Sequence, residues 1–110
     1  MTGPLDNLRA QATEAEIIEV LKTIRDPELP VSIWDMGLVY GIDVSPDDSV
    51  KITMTLTTPA CPVAETLPPE IEAKVRAIHG VKECRVELVW EPPWTMDRMS
   101  EAARLDAGLL

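Results

Sequence analysis

The chain has few of the residues on which several protein classes depend: no phenylalanine, one histidine and two cysteines among 110 residues. Two cysteines do not make a disulfide framework, and with a single histidine they cannot complete a four-ligand zinc site without carboxylates. Lysine and arginine together number 10 against 19 aspartates and glutamates, so the net charge is −9. This scarcity of cations argues against nucleic acid, whose phosphates attract clusters of lysine and arginine.

Long apolar runs are also missing. No segment approaches the ~18 residues that a membrane span requires, and the first residues contain no apolar signal-peptide core. We therefore expect a cytoplasmic protein that does not insert in a membrane. The length and the 45% apolar content predict one ordered domain. We assign residues 1–12 to a flexible N-terminal tail, residues 13–105 to the domain and residues 106–110 to a C-terminal tail.

Helix signals occur in three places. A capping box at Thr13 and Glu16 predicts a helix over about 14–25, with Ile17, Leu21 and Ile24 on its apolar face. A second helical region follows Cys61, and we expect Pro68-Pro69 to interrupt it, so that a fresh helix begins at Pro69 and ends before Gly80. The segment from Met96 to Leu105 is typical of a third helix.

Three runs alternate between apolar and polar residues and predict strands over about 40–44, 50–57 and 81–90. The first two read as an antiparallel hairpin, and a parallel crossover joins the second to the third. In the third run we expect the inward side chains to be Cys84, Val86, Leu88 and Trp90. The fold class is α/β (α+β): a two-layer domain of order α-β-β-α-β-α, with a small three-stranded mixed sheet and its helices on one face.

Cys61 is the sharpest candidate for chemistry. It follows the carboxyl end of the second strand and precedes a helix, where backbone N–H groups and the helix dipole favour a thiolate. A small buried cysteine in a rigid proline loop is the alternative. Cys84 lies in the inward register of the third strand, which predicts a core residue. A Cys61–His79 nucleophile pair is disfavoured, because 18 residues of helix at ~1.5 Å each would separate the two by about 27 Å.

Other polar residues surround this candidate. Asp26, Glu28 and Asp35 crowd one loop, where carboxylates could serve acid–base work or a hard cation, or only turns and caps. Thr57 and Thr58 adjoin Cys61.

The tryptophans Trp34, Trp90 and Trp94 are either core fillers or interface anchors. Two of them flank prolines, which favours an interface, and we take Trp34 and Trp94 as its candidates. Arg98 either forms a salt bridge on its helix or reaches the anionic loop, and it is the third candidate interface residue.

Three segments together carry a resemblance to a known family: DPELPVSIWDMGLVYGIDV, MTLTTPACPVAETLP and HGVKECRVELVWEPPWTMDRMSEAAR. They resemble the iron–sulfur (Fe–S) cluster assembly domain family, in particular its SufT-like and PaaD-like group. The likeness runs from about Glu14 to Arg104. The cysteine of the family's T-x-P-x-C-P loop falls on Cys61, and the D-P-E motif falls on residues 26–28. PaaD-like members usually extend into a cysteine-rich C-terminal segment that this sequence does not contain, which favours the SufT-like group.

The resemblance implies a non-enzymatic accessory factor in the maturation of cytosolic Fe–S proteins, with Cys61 as the functional thiol and tentative cluster ligand. Asp26, Glu28, Asp35, Thr57 and Thr58 would support it. The implied partners are the Fe–S assembly machinery and recipient apo-proteins. One exposed cysteine cannot close a four-ligand cluster site, so any cluster should be transient and labile. Whether the chain forms a homodimer is left open by the sequence. Three alternatives remain: a PaaD-like subunit serving a ring-epoxidising oxygenase, a thiol-based redox or binding enzyme using Cys61, and a pure adaptor in which Cys61 is structural.

Overall fold

Three strands form a mixed sheet: β1 (Val39–Val44), β2 (Ser49–Met54) and β3 (Glu83–Leu88). The structure is a computed structural model that describes the backbone of residues 4–25, 31–57 and 61–106, and the side chains of residues 12–25, 31–57 and 64–105. β2 lies in the centre, antiparallel to β1 and parallel to β3. The predicted three-stranded mixed sheet is confirmed. β1 and β2 are joined by a tight turn at residues 45–48.

The first helix, α1 (Pro4–Leu21), begins well before the Glu14 that the sequence predicted. The backbone of residues 4–12 is therefore helical, and Thr13 lies inside the helix instead of capping it. Proline suits the first position of a helix, because the N–H that it lacks has no partner there in any case. α1 also ends before Arg25: the N–H groups of Thr23 and Ile24 bond to carbonyls only three residues earlier. Of the predicted apolar face, Ile17 and Leu21 are buried within α1, and Ile24 is buried just beyond its end.

The second helix, α2 (Cys61–Arg76), runs unbroken through Pro68 and Pro69, so the predicted interruption is wrong. Each proline removes one backbone donor, which costs helix stability. Leu67, Ile71 and Val75 recur at four-residue spacing on both sides of the prolines, and all three are buried. We attribute the continuity of α2 to this buried stripe, because most of the stability of a protein helix comes from packing rather than from intrinsic propensity.

The predicted helix over 96–105 is divided in the structure. Met96–Arg98 form a single 3₁₀ turn, and α3 spans Glu101–Asp106. Between them Met99 is extended and buries its side chain. The Ser100 hydroxyl accepts the N–H of Ala103 at 3.1 Å, which is an N-cap bond that starts α3 afresh.

The core lies between the sheet and α1 and α2. On β2, Val50, Ile52 and Met54 are buried on the helix side, whereas Lys51 is exposed. The alternation stops at Met54, because β2 ends there and the next two residues, Thr55 and Leu56, are both buried. Continued alternation along the predicted strand over 50–57 would have placed Thr55 on the exposed face. Trp90 was expected to point inward, but it lies beyond the end of β3 and is 45% exposed.

Candidate functional site

Three separate segments meet at one end of the sheet. β2 and β3 both finish at this end, and β1 begins there with Val39 paired to Met54. We call it the carboxyl end of the sheet. It receives the segment before β1 (residues 31–38, the site loop), the segment from β2 towards α2, and the segment after β3 (residues 89–105, the C-terminal strap). Ligands of open α/β sheets gather outside the carboxyl ends of the strands.

Cys61 is the first residue of α2, and it follows β2 after a short connection. The helix therefore presents its N-terminal end at the carboxyl end of the sheet, as the sequence predicted. N–H groups and the helix dipole at such a position lower the pKa of a thiol. Thr57 is half-buried on the same connection. The side chain of Cys61 and residues Asp26, Glu28 and Thr58 lie outside the described residues.

Cys84 differs from Cys61 in position and environment. It pairs with Val50 near the opposite end of the sheet, where β2 and β3 begin, and only 6% of it is exposed. Burial, with a further contribution from the Glu72 carboxylate, raises the pKa of the Cys84 thiol to about 11. A protonated buried thiol is inert, because the thiolate is the nucleophile and the metal ligand. The predicted core role of Cys84 is confirmed.

Asp35 lies half-buried in the site loop and forms hydrogen bonds with Ser32 of the same loop. Its Oδ2 accepts a hydrogen bond from the Ser32 hydroxyl at 3.0 Å, and its N–H donates to the same hydroxyl oxygen at 3.1 Å. Ser32 also forms an isolated antiparallel bridge with Arg25, across the segment 26–30. These contacts form a local turn, and a chemical role of Asp35 stays a prediction.

The C-terminal strap is fastened to the site loop by backbone and side-chain contacts. The Trp94 indole N–H donates to the Met36 carbonyl at 2.6 Å, and the Ser100 N–H donates to the Asp35 carbonyl at 2.9 Å. Gly37 has φ +75°, and a Cβ at this position would collide with the backbone carbonyl of Arg98. Only glycine allows the two chains to approach this closely.

Arg98 and Tyr40 fasten the strap to β1. The guanidinium carbon of Arg98 lies 4.6 Å from the centroid of the Tyr40 ring, and the Tyr40 hydroxyl donates to the Pro92 carbonyl at 2.7 Å. Arg98 thus makes a cation–π contact. Trp34 and Trp94 are half-buried against the core. All three predicted interface residues have internal contacts, and their contact with a partner stays a prediction.

The sequence analysis missed the apolar residues that are exposed. Among the described residues, the large apolar side chains that face solvent are Trp90, Met96 and Leu105, all in the C-terminal strap. The exposure of Trp90 was missed because the third strand was predicted to run as far as Trp90, whereas β3 ends at Leu88. The signal that could have corrected this is Pro92-Pro93, since proline removes the donors of a strand ladder.

The sequence model of a family described as "Iron-sulfur cluster assembly protein" matches residues 14–88, which is more than half of the chain. The chain belongs to this family. The matched range contains the site loop, the start of α2 and all three strands. The resemblance that the three motifs carried is confirmed.

Named relatives place this chain near the SufT-like group. It is 45% identical to an "Fe-S protein maturation auxiliary factor" from Porphyromonas gingivalis over 89% of this chain and 93% of that protein. It is 34% identical to the "Fe-S protein maturation auxiliary factor SufT" from Staphylococcus aureus over 76% of this chain and 96% of that protein. Its fold is similar to that of a DUF59 domain from Bacillus anthracis, with a TM-score of 0.85, 34% identity and coverage of 94% and 99% of the two chains.

Two further findings concern the described residues alone. No group of three or more His, Cys, Asp or Glu side chains lies close enough there to hold a metal ion. Within the same residues, no helix has both the length and the apolar character needed to cross a bilayer.

Proposed function

We propose that this chain is a non-enzymatic accessory factor of cytosolic Fe–S protein maturation and that it acts through Cys61 in the T-T-P-A-C-P loop. The observation that carries the proposal is the position of Cys61 as the first residue of α2, seven residues after Met54 ends β2. Family membership and the names of the two maturation factors support the process. The chain covers nearly the full length of both relatives.

The proposed chemistry is ligand exchange on an Fe–S cluster that the chain binds transiently and passes on to another protein. A Cys61 thiolate would bind one iron of the cluster, and the remaining ligands would come from a second copy of the chain, a small thiol or a partner protein, because a cluster normally needs four protein ligands. Such a cluster is labile and transfers readily. The partners are the Fe–S assembly machinery and recipient apo-proteins.

The residues around Cys61 in the proposal are expected to shape this site rather than to hold iron. Carboxylates such as Asp26 and Glu28 prefer harder ions than the iron of a sulfide-bridged cluster. Asp35 already accepts the Ser32 hydroxyl. Thr57 and Thr58 belong to the connection that delivers Cys61.

The first test compares the reactivity of the two cysteines. Iodoacetamide rates are measured against pH on Cys84→Ser and Cys61→Ser, so that each variant reports one thiol. We expect a pKa for Cys61 below the ~8.5 of an ordinary cysteine, and slow alkylation of Cys84 in the folded protein. Equal rates, or a faster Cys84, would overturn the assignment of Cys61.

The second test follows the cluster. Purified protein is incubated anaerobically with iron and sulfide and then separated by gel filtration, with iron, sulfide and visible absorbance measured in each fraction. We expect at most a fraction of a cluster per chain, accompanied by dimer formation or dependent on added thiol. Cys61→Ala should lose this cluster, and Cys84→Ala should keep it. A stable, stoichiometric cluster on monomeric Cys61→Ala would contradict the proposal.

The third test separates the proposal from a pure adaptor. An apo-protein recipient is activated with cluster donor in the presence of the wild-type chain or Cys61→Ser. We expect Cys61→Ser to lose the stimulation of activation while its unfolding midpoint in urea stays that of the wild type. Full stimulation by Cys61→Ser would mean that the chain only docks its partners.

A further inference from the structure

The C-terminal strap exposes apolar surface that the rest of the described chain buries. Trp90 is 45% exposed, Met96 55% and Leu105 60%. Single exposed apolar side chains are ordinary on protein surfaces, but three large ones within one segment of 17 residues (89–105) are a concentration. Large apolar and aromatic residues of this kind anchor protein interfaces.

The exposure does not come from a loosely attached segment. The opposite side of the strap packs on the core, where Met99 and Ala103 are buried and Trp94 is half-buried. The Arg104 guanidinium donates to the Met96 carbonyl from Nε at 3.2 Å and from Nη2 at 2.9 Å. This contact joins the 3₁₀ turn to α3, so Met96 and Leu105 belong to one fixed unit.

Charge on the strap indicates what kind of surface would complement it. Both arginines are occupied within the chain: Arg98 stacks on Tyr40, and Arg104 lies 3.4 Å from Asp97 besides holding the Met96 carbonyl. Glu91 and Glu101 are exposed and have no hydrogen-bond or ion-pair partner among the described residues. The solvent-exposed residues of the strap, which we call its outer side, therefore include both apolar side chains and carboxylates without a partner, on a chain whose net charge is −9.

We propose that the outer side of the C-terminal strap binds a cationic segment of a partner protein, in which apolar side chains alternate with lysine or arginine. The apolar residues would cover Trp90, Met96 and Leu105, and the cations would pair with Glu91 and Glu101. The proposal rests on the proposed function for the identity of the partner, a protein that supplies or receives the cluster. The strap begins at the carboxyl end of the sheet, so a partner bound there lies on the same side of the molecule as α2's first residue.

The experiment uses the full chain and two synthetic peptides about 14 residues long, long enough for a helix. One peptide combines leucine with lysine, and the other has glutamate in place of every lysine. Fluorescence anisotropy of the labelled peptides gives their affinities at low salt and at ~0.15 M salt. We expect the lysine peptide to bind and the glutamate peptide not to bind.

Variants decide whether the strap is the binding surface. Met96→Ser/Leu105→Ser and Trp90→Ser should each weaken the lysine peptide about tenfold or more, because each removes apolar area from the interface. Glu91→Gln/Glu101→Gln should weaken it several-fold at low salt. Glu14→Gln/Glu19→Gln, on exposed positions of α1, makes the same charge change and should leave the affinity within about twofold.

Three results would overturn the proposal. The first is that Met96→Ser/Leu105→Ser binds the lysine peptide with an affinity within about twofold of wild type. The second is that Glu14→Gln/Glu19→Gln loses as much peptide affinity as Glu91→Gln/Glu101→Gln, which would mean that the peptide is attracted by net charge alone. The third is a wild-type dimer in sedimentation equilibrium that Met96→Ser/Leu105→Ser abolishes, since a second copy would then cover the patch. Cys61→Ser should bind the peptide like wild type, so failure of the thiol proposal and failure of this one are separate outcomes.

Discussion

The two ends of the sheet are built in different ways. At the end where β1 turns into β2, which we call the turn end, the contacts within the turn are local: the Ser45 N–H bonds to the Ser49 carbonyl at 2.8 Å, and the Asp48 N–H bonds to the Ser45 carbonyl at 3.0 Å. One longer bond, from the Lys82 N–H to the Asp48 carbonyl at 2.9 Å, joins this turn to the segment before β3. At the carboxyl end, the hydrogen bond from Trp94 to Met36 joins residues 58 apart, and the bond from Tyr40 to Pro92 joins residues 52 apart.

This difference has an energetic consequence. A local turn closes a short loop at little entropic cost, whereas the carboxyl end must hold together segments from distant parts of the chain. Its contacts share the cost of ordering the site loop and the strap, so the loss of one contact weakens the others. The end that carries the proposed function is thus the end whose geometry depends on cooperation.

The strongest way to break the carboxyl end is Gly37→Ala. The new Cβ would meet the Arg98 backbone, which cannot move aside as a side chain could, and the φ of +75° adds its own strain. We expect a loss of about 3 kcal/mol or more in the free energy of unfolding, measured in urea.

Gly80→Ala is the matched control for this variant. Gly80 has φ +95°, but no atom lies within 4 Å of the place that its Cβ would occupy. It should therefore lose only the backbone term, about 1–2 kcal/mol. Equal losses in the two variants would show that the approach of Gly37 to Arg98 contributes nothing.

The turn end contains the inert cysteine, and pH should reveal its burial. Because the pKa of Cys84 is raised from 9.0 to about 11 in the folded protein, the unfolded chain loses this proton first as the pH rises. The thiol's contribution is complete below about pH 9 and is lost between about pH 9 and 11, on the order of 2 kcal/mol. Urea unfolding across that range should show a fall that Cys84→Ala lacks. Parallel pH curves would contradict the burial of this thiol.

The same difference explains why the turn end could be predicted from the sequence and the path of the strap could not. The turn at residues 45–48 and the alternation of β2 are local patterns, and both were predicted. The path of the strap was not, because the placement of Trp94 depends on the Met36 carbonyl, far away in sequence. Likewise Pro68-Pro69 is a strong local signal for a break, yet the buried face of α2 overrode it. For the site, the start of α2 at Cys61 was predicted; the exposed face of the strap was not.

Removing a single hydrogen bond from the carboxyl end should have a moderate effect. Trp94→Phe keeps an aromatic ring but leaves the Met36 carbonyl without its 2.6 Å donor. We expect a loss of about 1–2 kcal/mol in the free energy of unfolding, because the site is only half-buried and water can replace part of the bond. Trp90→Phe, at an exposed position of the same strap, should change stability by less than about 0.5 kcal/mol. If the two variants lose equally, the indole N–H does not fasten the strap.

The smallest effect is expected at the turn end, from Asp47→Ala. The Asp47 Oδ1 accepts the Ser49 N–H at 3.2 Å in an exposed turn, so its removal should cost only about 0.5–1 kcal/mol. Asp47→Asn keeps an acceptor oxygen in the same place and should stay near wild type, and an equal loss in that variant would assign the effect to charge instead. Because the turn is local and lies at the other end of the sheet, neither variant should change the iodoacetamide rate of Cys61. A changed rate would mean that the two ends are coupled through β2, which pairs with both of the other strands.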